Sequence, residues 1–395
     1  MKLKCDITLP ASKSESNRAL MIAAYGGFEP NFQNISRSND TRVLKETMSH
    51  LPSMSFQKWN VGEQESVEGG RHIVDIADCG TAARFLTTYL ACHKGSWELT
   101  GTVRMCQRPM GPLVDALRTL GADIHYVEKE GFLPILIKGK PILGGKSSIN
   151  MTQSSQYASS LLMAAPMFPQ GLELELVGEC KSLPYFNMTL AMMCHFSAQA
   201  ERRGKTVVVQ PKPYEKKGFV VESDWTAASY WYEMAAFSEE CEIRLHGLSL
   251  PSLQGDSVIA EWMKQLGVGT FIENDTIVLR KIPFEKHPLN FDFSQYPDLY
   301  PTVVATCNGL NVEATFTGLD NLVLKESNRV EAMQTELAKL SNHSVHFCAH
   351  NDHRIVMALA PFSMLVGPVE FDHPEAVEKS YPDFWNDAFF LAFQG

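Results

Sequence analysis

The sequence predicts an α/β or α+β fold made of several copies of one small unit of helices and strands. Three segments share one helical design, in which apolar residues recur along a single face: residues 112–123, 258–268 and 329–340. Alternating, β-branched segments flank these helices, among them residues 132–137 and 206–210. Because residue identity between the copies is low, unrelated amphipathic helices would also give this pattern.

The first of the three segments shows how the design begins and ends. Pro112 suits a first helical turn, and Leu113, Leu117 and Leu120 lie on one face. Gly121 suits the stop after the last turn. We therefore predict one helix here.

The other two segments follow the same plan. The second reaches a glycine, Gly267, at its end. In the third, Val330, Met333 and Leu337 form one apolar stripe, and a strand-like segment at 344–347 follows.

Composition limits the classes of partner. The chain has 395 residues, which suits two or three domains, and 45% of them are apolar, enough for substantial cores. Lysine and arginine number 35 against 45 aspartates and glutamates, so the net charge is −10. Because an acidic surface does not attract nucleic acid or anionic lipid, we expect neither nucleic acid nor a membrane as a partner.

The sequence also predicts a cytoplasmic protein. The most apolar stretch, residues 355–369, is shorter than a membrane helix and contains Pro361 and Pro368. Residues 1–10 contain no apolar core of a secretory signal.

No metal and no cofactor are expected. Nine cysteines are scattered from Cys5 to Cys348 without a C-x-x-C pair, which indicates reduced thiols. The glycine fingerprints of dinucleotide and P-loop sites do not occur. His343, His346 and His350 lack the spacing of metal ligands.

The most informative feature is the position of the basic residues. The start of a helix carries partial positive charge, which disfavours a cation there by ~0.3–1 kcal/mol. This chain nevertheless places basic residues at five predicted helix starts: Lys13 and Arg18, Arg84, Arg108, Lys325 and Arg329, and Arg354. Each alone has an ordinary explanation: Ser14, Ser16 or Asp352 would be a helix N-cap, and Arg18 or Arg329 would lie on a solvated helix face. Together they predict a site for a small molecule with several negative charges, because cations and bare amides bind phosphates and carboxylates.

Two further groups could complete such a site. Ser154, Ser155 and Gln156 offer hydroxyls and an amide to a phosphate, although a capped core helix would use the same residues. Asp298 and Glu326 are the acid–base candidates, and their spacing does not show which donates a proton and which accepts one.

Six short motifs resemble the family of 5-enolpyruvylshikimate-3-phosphate (EPSP) synthases, in that family's order and over nearly the whole chain. They are Lys13-Ser14-x-Ser16-Asn17-Arg18, Cys79-Gly80-Thr81-Ala82-x-Arg84, Arg108-Pro109-x-Gly111-Pro112-Leu113, Ser154-Ser155-Gln156-Tyr157, Lys325-Glu326-x-x-Arg329 and Asn351-Asp352-His353-Arg354. The resemblance implies the two-domain enolpyruvyl-transferase fold, an inside-out α/β barrel in which each domain has three copies of a βαβαββ unit. Residues 13–222 would form one lobe and residues 1–12 with 223–395 the other, with the active site in the cleft between them.

The resemblance also implies the reaction. The enolpyruvyl group of phosphoenolpyruvate would pass to the 5-hydroxyl of shikimate 3-phosphate by addition and elimination, in aromatic amino acid biosynthesis, without a metal or cofactor. The enzyme would act as a monomer. Asp298 would accept the hydroxyl proton, Glu326 would donate a proton, and Lys13 would reach both substrates.

The family's binding residues carry over by motif. The residues implied to bind shikimate 3-phosphate are Lys13, Ser14, Arg18, Ser154, Ser155, Gln156, Ser182, Asp298, Asn321 and Lys325. The residues implied to bind phosphoenolpyruvate are Lys13, Gly80, Arg108, Gln156, Arg329, Arg354 and Lys379. The positions that depart from the family's pattern are Asp78, Ser223, Ser327 and Asn328.

Two other interpretations stay open at this point. A sister enzyme on the same fold transfers enolpyruvyl to UDP-N-acetylglucosamine and carries a reactive cysteine five residues before an Arg-Pro pair. Here that position is Val103, and Cys106 stands only two residues before Arg108. A catalytically silent protein that binds a phosphorylated ligand would need neither Asp298 nor Glu326.

Overall fold

The computed structural model describes residues 2–51, 71–342 and 346–386, so His343 and the first part of the predicted strand at 344–347 lie outside the described residues. Its helices are α1 Lys13–Gly26, α2 Asn39–His50, α3 Gly80–Ala91, α4 Val103–Cys106, α5 Gly111–Thr119, α6 Gln156–Ala164, α7 Leu183–His195, α8 Trp225–Phe237, α9 Ile259–Lys264, α10 Tyr300–Gly309, α11 Arg329–Ala338, α12 His353–Leu359 and α13 Ser363–Val366. Its strands are β1 Lys2–Thr8, β2 Phe32–Gln33, β3 His72–Asp75, β4 Gly95–Thr100, β5 Asp123–Tyr126, β6 Ile135–Gly139, β7 Gly145–Asn150, β8 Leu172–Val177, β9 Ala200–Arg203, β10 Thr206–Val209, β11 Phe219–Val220, β12 Glu240–His246, β13 Val268–Glu273, β14 Thr276–Lys281, β15 Leu289–Asp292, β16 Ala314–Thr317, β17 His346–Phe347 and β18 Glu370–Phe371.

Chain contacts divide the protein into two compact units. Unit 1 comprises Met1–Lys13, Asn34–Asn39 and Val221–Gly395, and unit 2 comprises Ser14–Gln33 and Asp40–Val220. Each unit buries its own apolar core. The limits of the lobes predicted from the sequence stay a prediction.

Unit 2 contains the same four-stranded sheet twice. Its strand orders are β3-β4-β6-β5 and β7-β8-β10-β9. In both sheets the first two strands are parallel, and the last two in the chain are antiparallel to each other. Helices α3 and α5 connect the strands of the first sheet, and α6 and α7 connect those of the second. Each sheet with its helices is therefore one βαβαββ unit, the unit that the resemblance implies.

Unit 1 repeats the pattern with a strand from the other end of the chain. Its sheet has the order β1-β12-β14-β13, and β1 pairs in parallel with β12 from Lys2 opposite Glu240 to Thr8 opposite His246. Two shorter parallel pairs, β15 with β16 and β17 with β18, belong to the same unit.

The three predicted amphipathic helices are present, with shorter limits. Helix α5 ends before Gly121, whose φ of 92° suits a glycine. Helix α9 ends at Lys264, because Gly267 turns the chain into β13 with a φ of 84°. The predicted strand at 132–137 begins only at Ile135, after Pro134, which has no N–H for a ladder. Within the described ranges, no helix is both long and apolar enough to cross a membrane.

One titratable group lies in the core of unit 1. Glu233 of α8 is fully buried, and neither carboxylate oxygen has a hydrogen-bond partner among the described residues. Burial raises the pKa of Glu233 well above its ordinary value, since a charge there would lose its hydration. The unfolded chain releases this proton near pH 4 to 5, whereas the folded unit retains it. Folding is thus favoured at low pH, and this contribution falls as the pH rises toward the pKa of folded Glu233.

Glu233→Gln should therefore stabilise the protein more at high pH than at low pH. The neutral amide carries no proton to release, so the difference in free energy of unfolding between variant and wild type should grow by up to ~1.4 kcal/mol per pH unit above about pH 5. Urea unfolding at pH 5 and pH 8 measures it, with Glu313→Gln on an exposed glutamate as the control. A difference that is equal at both pH values would contradict a neutral Glu233.

Candidate functional site

Several of the predicted site residues in unit 1 meet around one carboxylate. Asp298 lies in the 3-10 helix Pro297–Leu299, directly before α10. Arg329 is the first residue of α11, and Asn328 caps that helix through a hydrogen bond from the Glu331 N–H at 3.4 Å. Arg354 lies in the first turn of α12. We call Asp298, Lys325, Glu326, Arg329, Asp352 and Arg354 the Asp298 cluster.

Asp298 accepts hydrogen bonds from three cations. Arg329 Nη1 donates to Oδ1 at 2.8 Å, and Arg354 Nη2 donates to Oδ2 at 2.9 Å. Lys325 Nζ lies 3.3 Å from Oδ1. Burial alone would raise the pKa of Asp298, but Arg354, Lys325 and Arg329 outweigh it and hold that pKa well below its usual range. Asp298 is consequently an ionised carboxylate at neutral pH.

Arg329 is buried beneath this contact and is held by two more carboxylates. Only 1% of its side chain is exposed. Arg329 Nε donates to Asp352 Oδ2 at 2.8 Å, and Arg329 Nη2 donates to Glu326 Oε2 at 2.9 Å. Burial opposes the charge of Arg329, yet Asp352, Glu326 and Asp298 together raise its pKa above the ordinary value.

Asp352 joins two helix starts. It caps α12 by accepting the Arg354 N–H at 3.0 Å, and it accepts the Ser327 hydroxyl at 3.1 Å. Ser327 and Asn328 depart from the family's pattern. Ser327 nevertheless donates a hydrogen bond to Asp352, and Asn328 caps α11. The sequence predicted the cap at Asp352 but not its ion pair with Arg329.

Two buried groups near the cluster were not predicted as site residues. Asp256 is 2% exposed and accepts the Thr226 hydroxyl at 2.5 Å. Burial and the charge of Asp298 raise the pKa of Asp256 to about 6. Burial and the positive charges of Arg354 and Lys13 hold the pKa of His353 well below its usual range. No motif containing Asp256 gave a signal, since only the fold brings it near Asp298.

Three other predicted site residues belong to unit 1: Lys13, Asn321 and Lys379. Lys13 opens α1, and its backbone N–H lies 3.3 Å from Asp224 Oδ2. Asn321 is buried and directly precedes the 3-10 helix Leu322–Leu324. Lys379 is buried at the end of the 3-10 helix Pro374–Lys379, which packs against α12.

The predicted site residues of unit 2 lie at the starts of helices that pack side by side. Helix α6 packs against both α3 and α7. Gly80 is the first residue of α3, Gln156 is the first of α6, and Ser182 directly precedes α7. Gln156 Nε2 donates to Thr81 Oγ1 at 3.3 Å, which joins the starts of α3 and α6.

Two serines at these starts leave their own helices without a side-chain cap. In the described structure, neither Ser155 nor Ser182 accepts a hydrogen bond from the first turn of its helix. Ser182 also adopts a left-handed conformation, with φ of 54° and ψ of 39°. Ser154 instead accepts the Gln156 N–H at 3.2 Å. Hydroxyls and first-turn amides in this arrangement suit a phosphate.

Arg18 is a buried cation of unit 2. It is 3% exposed, and its guanidinium donates to the carbonyl of Ser14 at 2.8 Å and to Thr189 Oγ1 at 2.7 Å. Burial lowers the pKa of Arg18 to about 10, so it is still positively charged at pH 7.

Arg108 lies directly against Gly80. A methyl group added at Gly80 would be 2.7 Å from Arg108 Nη1, a distance that requires the guanidinium to move. Arg108 is 9% exposed. The start of α3 and this guanidinium thus form a second place suited to an anion.

The chemistry available in the described residues is that of anion binding and proton transfer. Among them, no group of three or more histidine, cysteine, aspartate or glutamate side chains could hold a metal ion. No disulfide links any of the nine cysteines, all of which lie in the described ranges. The Cys106 thiol donates to the carbonyl of Gly101 at 3.5 Å, and Val103 is 79% exposed.

Asp352→Asn should destabilise unit 1 strongly. The amide keeps the size of the side chain but leaves the buried Arg329 with one carboxylate fewer, and removing one partner of a buried ion pair costs ~3–5 kcal/mol. Urea unfolding at pH 7 measures the change, and Asp115→Asn on an exposed aspartate is the matched control. A loss below about 1 kcal/mol would show that Asp352 does not balance the charge of Arg329.

Comparison with known proteins gives one family throughout. The family model described as EPSP synthase (3-phosphoshikimate 1-carboxyvinyltransferase) matches residues 1–388. A Bacteroides fragilis protein named 3-phosphoshikimate 1-carboxyvinyltransferase is 41% identical over 407 aligned positions, which cover 98% of this chain and 95% of that protein. A Haemophilus influenzae protein of the same name is 33% identical over an alignment that covers 96% of this chain and 95% of that protein.

A solved structure supports the fold. The EPSP synthase of Acinetobacter baumannii superposes with a TM-score of 0.72 at 18% identity, over 97% of this chain and 94% of that one. The α/β enolpyruvyl-transferase fold expected from the sequence is thus confirmed. With the family model matched from residue 1 to residue 388 and relatives above 30% identity along the chain, the protein belongs to the EPSP synthase family.

Proposed function

We propose that this protein transfers the carboxyvinyl group of phosphoenolpyruvate to the 5-hydroxyl of shikimate 3-phosphate, with release of phosphate. The observation that carries the proposal is the Asp298 cluster, in which one carboxylate accepts hydrogen bonds from Arg329, Arg354 and Lys325. A site that only binds anions gains nothing from a carboxylate there, because it repels them. A site that must also accept a proton needs one.

The cations of unit 1 would divide between the two substrates. Arg329, Arg354 and Lys379 would bind phosphoenolpyruvate, whose carboxylate and phosphate suit guanidinium groups. Lys325 and Asn321 would bind shikimate 3-phosphate. Lys13 would reach both substrates.

The helix starts of unit 2 would bind the remaining anionic groups. The residues proposed for shikimate 3-phosphate are Ser14, Arg18, Ser154, Ser155, Gln156 and Ser182. Gly80 and Arg108 would bind phosphoenolpyruvate, and Gln156 would touch both substrates. The support is geometric: the hydroxyls of Ser155 and Ser182 at the starts of α6 and α7 do not cap their own helices, and the guanidinium of Arg108 lies against the start of α3.

The reaction would proceed by addition and elimination. In its protonated form, Glu326 would protonate the methylene carbon of phosphoenolpyruvate, which makes the neighbouring carbon electrophilic. The 5-oxygen would bond to that carbon while Asp298 takes the hydroxyl proton. Breakage of the carbon–oxygen bond to phosphate, with transfer of the Asp298 proton to the leaving phosphate and return of a methyl proton to Glu326, would then restore the alkene and both carboxyl groups. Guanidinium groups and bare amides would stabilise the charge that develops on the leaving phosphate.

The low pKa of Asp298 has a place in this sequence of steps. While three cations share its oxygens, Asp298 is a weak base. The carboxylate and phosphate of phosphoenolpyruvate would compete for Arg329 and Arg354. Because that competition removes positive charge from Asp298, its pKa would rise toward the range of a useful base only when the substrate is bound.

Family membership disfavours the two other interpretations. Val103 occupies the position where the UDP-sugar enzyme carries its reactive cysteine, and it is a solvent-exposed aliphatic residue here. Measuring phosphate release from phosphoenolpyruvate with shikimate 3-phosphate or UDP-N-acetylglucosamine as acceptor tests all three. Release only with shikimate 3-phosphate is expected, and no release with either acceptor would leave a binding protein.

We further propose a monomer in the cytoplasm. Unit 1 and unit 2 each bury their own core. Light scattering on the purified protein tests the oligomeric state, and fractionation of the producing cells tests the location.

Asp298→Asn and Glu326→Gln should both lower kcat. The amides keep the size of the side chains but can neither accept nor donate the transferred proton, so kcat should fall by ~10²–10⁴. Steady-state kinetics with each substrate varied measures it. If Glu326 only orients Lys325 or Arg329, its variant would instead raise KM with little change in kcat. An Asp298→Asn enzyme with nearly normal kcat would falsify the assignment of Asp298 as the base.

Arg354→Ala should act mainly through phosphoenolpyruvate. Loss of a charge-assisted contact costs ~1.5–3 kcal/mol, so KM for phosphoenolpyruvate should rise by ~10–100-fold while KM for shikimate 3-phosphate changes little. Arg42→Ala, which removes an exposed arginine of unit 2, is the control. Equal increases in both KM values would argue against a specific role for Arg354.

A further inference from the structure

Two side chains of unit 2 converge on a single backbone carbonyl. The carbonyl oxygen of Pro109 accepts the Tyr157 hydroxyl at 2.7 Å and Arg84 Nη2 at 2.9 Å. Pro109 directly follows Arg108, the residue proposed to bind phosphoenolpyruvate. The two donors come from different helices, since Tyr157 lies in the first turn of α6 and Arg84 in α3.

Both donors are themselves fixed in place. Tyr157 is fully buried, and burial raises the pKa of its hydroxyl, which therefore keeps its proton and donates. Arg84 is 3% exposed and also donates to the carbonyl of Gly80 at 3.1 Å. Its guanidinium lies 6.0 Å from the centre of the Tyr157 ring.

Arg108 needs such a restraint because it lies beside a second cation. Arg84 Nη1 and Arg108 Nη1 both contact the sulfur of Met105, at 3.7 Å and 4.0 Å. Two guanidinium groups around one sulfur atom repel each other. This repulsion favours movement of Arg108 away from Arg84. A backbone anchored at the next residue opposes that movement.

We propose that Tyr157 is a positioning residue, whose hydroxyl holds the Pro109 carbonyl and so keeps Arg108 against Gly80 for the anion of phosphoenolpyruvate. This inference rests on the proposed function for the identity of the anion. The proposed function gives a role to Arg108 but none to the Tyr157 hydroxyl. The hydroxyl acts through Arg108 and does not touch the substrate.

Tyr157→Phe tests the proposal by removing one oxygen atom. Because Arg84 remains as the second donor, the loss should be moderate: KM for phosphoenolpyruvate should rise about three- to tenfold, the worth of one hydrogen bond. KM for shikimate 3-phosphate should stay within twofold of wild type. KM does not depend on the concentration of folded enzyme, so partial unfolding of the variant cannot imitate this result.

The matched control is Tyr214→Phe. Tyr214 is also buried in unit 2 and also donates its hydroxyl to a backbone carbonyl, that of Met163 in α6, at 2.9 Å. It does not contribute to the hydrogen bonds described at Pro109. KM for phosphoenolpyruvate should be unchanged in Tyr214→Phe, and an increase equal to that of Tyr157→Phe would show a general packing effect.

A double-mutant cycle separates positioning from structure. If Tyr157 acts through Arg108, Tyr157→Phe should raise KM for phosphoenolpyruvate less than 1.5-fold in an Arg108→Ala background. The proposal would be overturned if Tyr157→Phe raised KM for phosphoenolpyruvate as much in the Arg108→Ala background as in the wild type. It would also be overturned if Tyr157→Phe alone left that KM unchanged.

Calorimetric titration with phosphoenolpyruvate gives a dissociation constant that needs no turnover. Suppose that the wild type forms no product, but Tyr157→Phe raises the dissociation constant for phosphoenolpyruvate as expected. The proposed reaction would then be overturned, and the role of Tyr157 would stand. An unchanged dissociation constant in Tyr157→Phe would overturn that role alone.

Discussion

The site in unit 1 depends on the burial of one guanidinium group. Arg329 is 1% exposed, and a charge at that depth costs several kcal/mol unless it is paired and hydrogen-bonded. Asp298, Glu326 and Asp352 supply the pairing. Because these carboxylates come from three separate segments, Arg329 fixes the start of α11, the cap of α12 and the 3-10 helix before α10 relative to one another. The same contacts bring Arg354 and Lys325 to Asp298.

The hydrogen bonds of the buried arginines differ between the two units. In unit 1, Arg329 and Arg354 donate to carboxylates. In unit 2, Arg18 and Arg84 donate to backbone carbonyls, and Arg18 also donates to a threonine hydroxyl. A carbonyl oxygen carries only a partial charge, so each of these hydrogen bonds offsets less of a guanidinium charge than a hydrogen bond to a carboxylate does.

The sequence was informative where one residue type decides the local structure. Glycines at helix ends, such as Gly121, and caps such as Asp352 follow from backbone conformation and hydrogen bonding alone. The basic residues at helix starts predicted an anion site, because a cation at a helix start is locally unfavourable and the feature recurs along the chain. Contacts between distant segments could not be predicted in this way. No periodicity or spacing in the sequence indicates that Asp256 lies near Asp298, or that the Tyr157 hydroxyl donates to the Pro109 carbonyl. The helix predicted at 258–268 was too long for a related reason, since the pairing of β13 with β14 takes Val268 into a sheet.

The position of β1 has a consequence for the order of events during synthesis. Residues 2–8 are made more than 200 residues before their parallel partner β12, which consists of residues 240–246. The sheets of unit 2 use a continuous stretch, from β3 at His72 to β10 at Val209, so they can assemble while the first strand still lacks a neighbour. Unit 1 can close its four-stranded sheet only after β14 has been made. A nascent chain stalled once residue 220 has left the ribosome, but before β12 has, would therefore carry a formed unit 2 and an unpaired β1, whose exposed backbone is open to aggregation or to a chaperone.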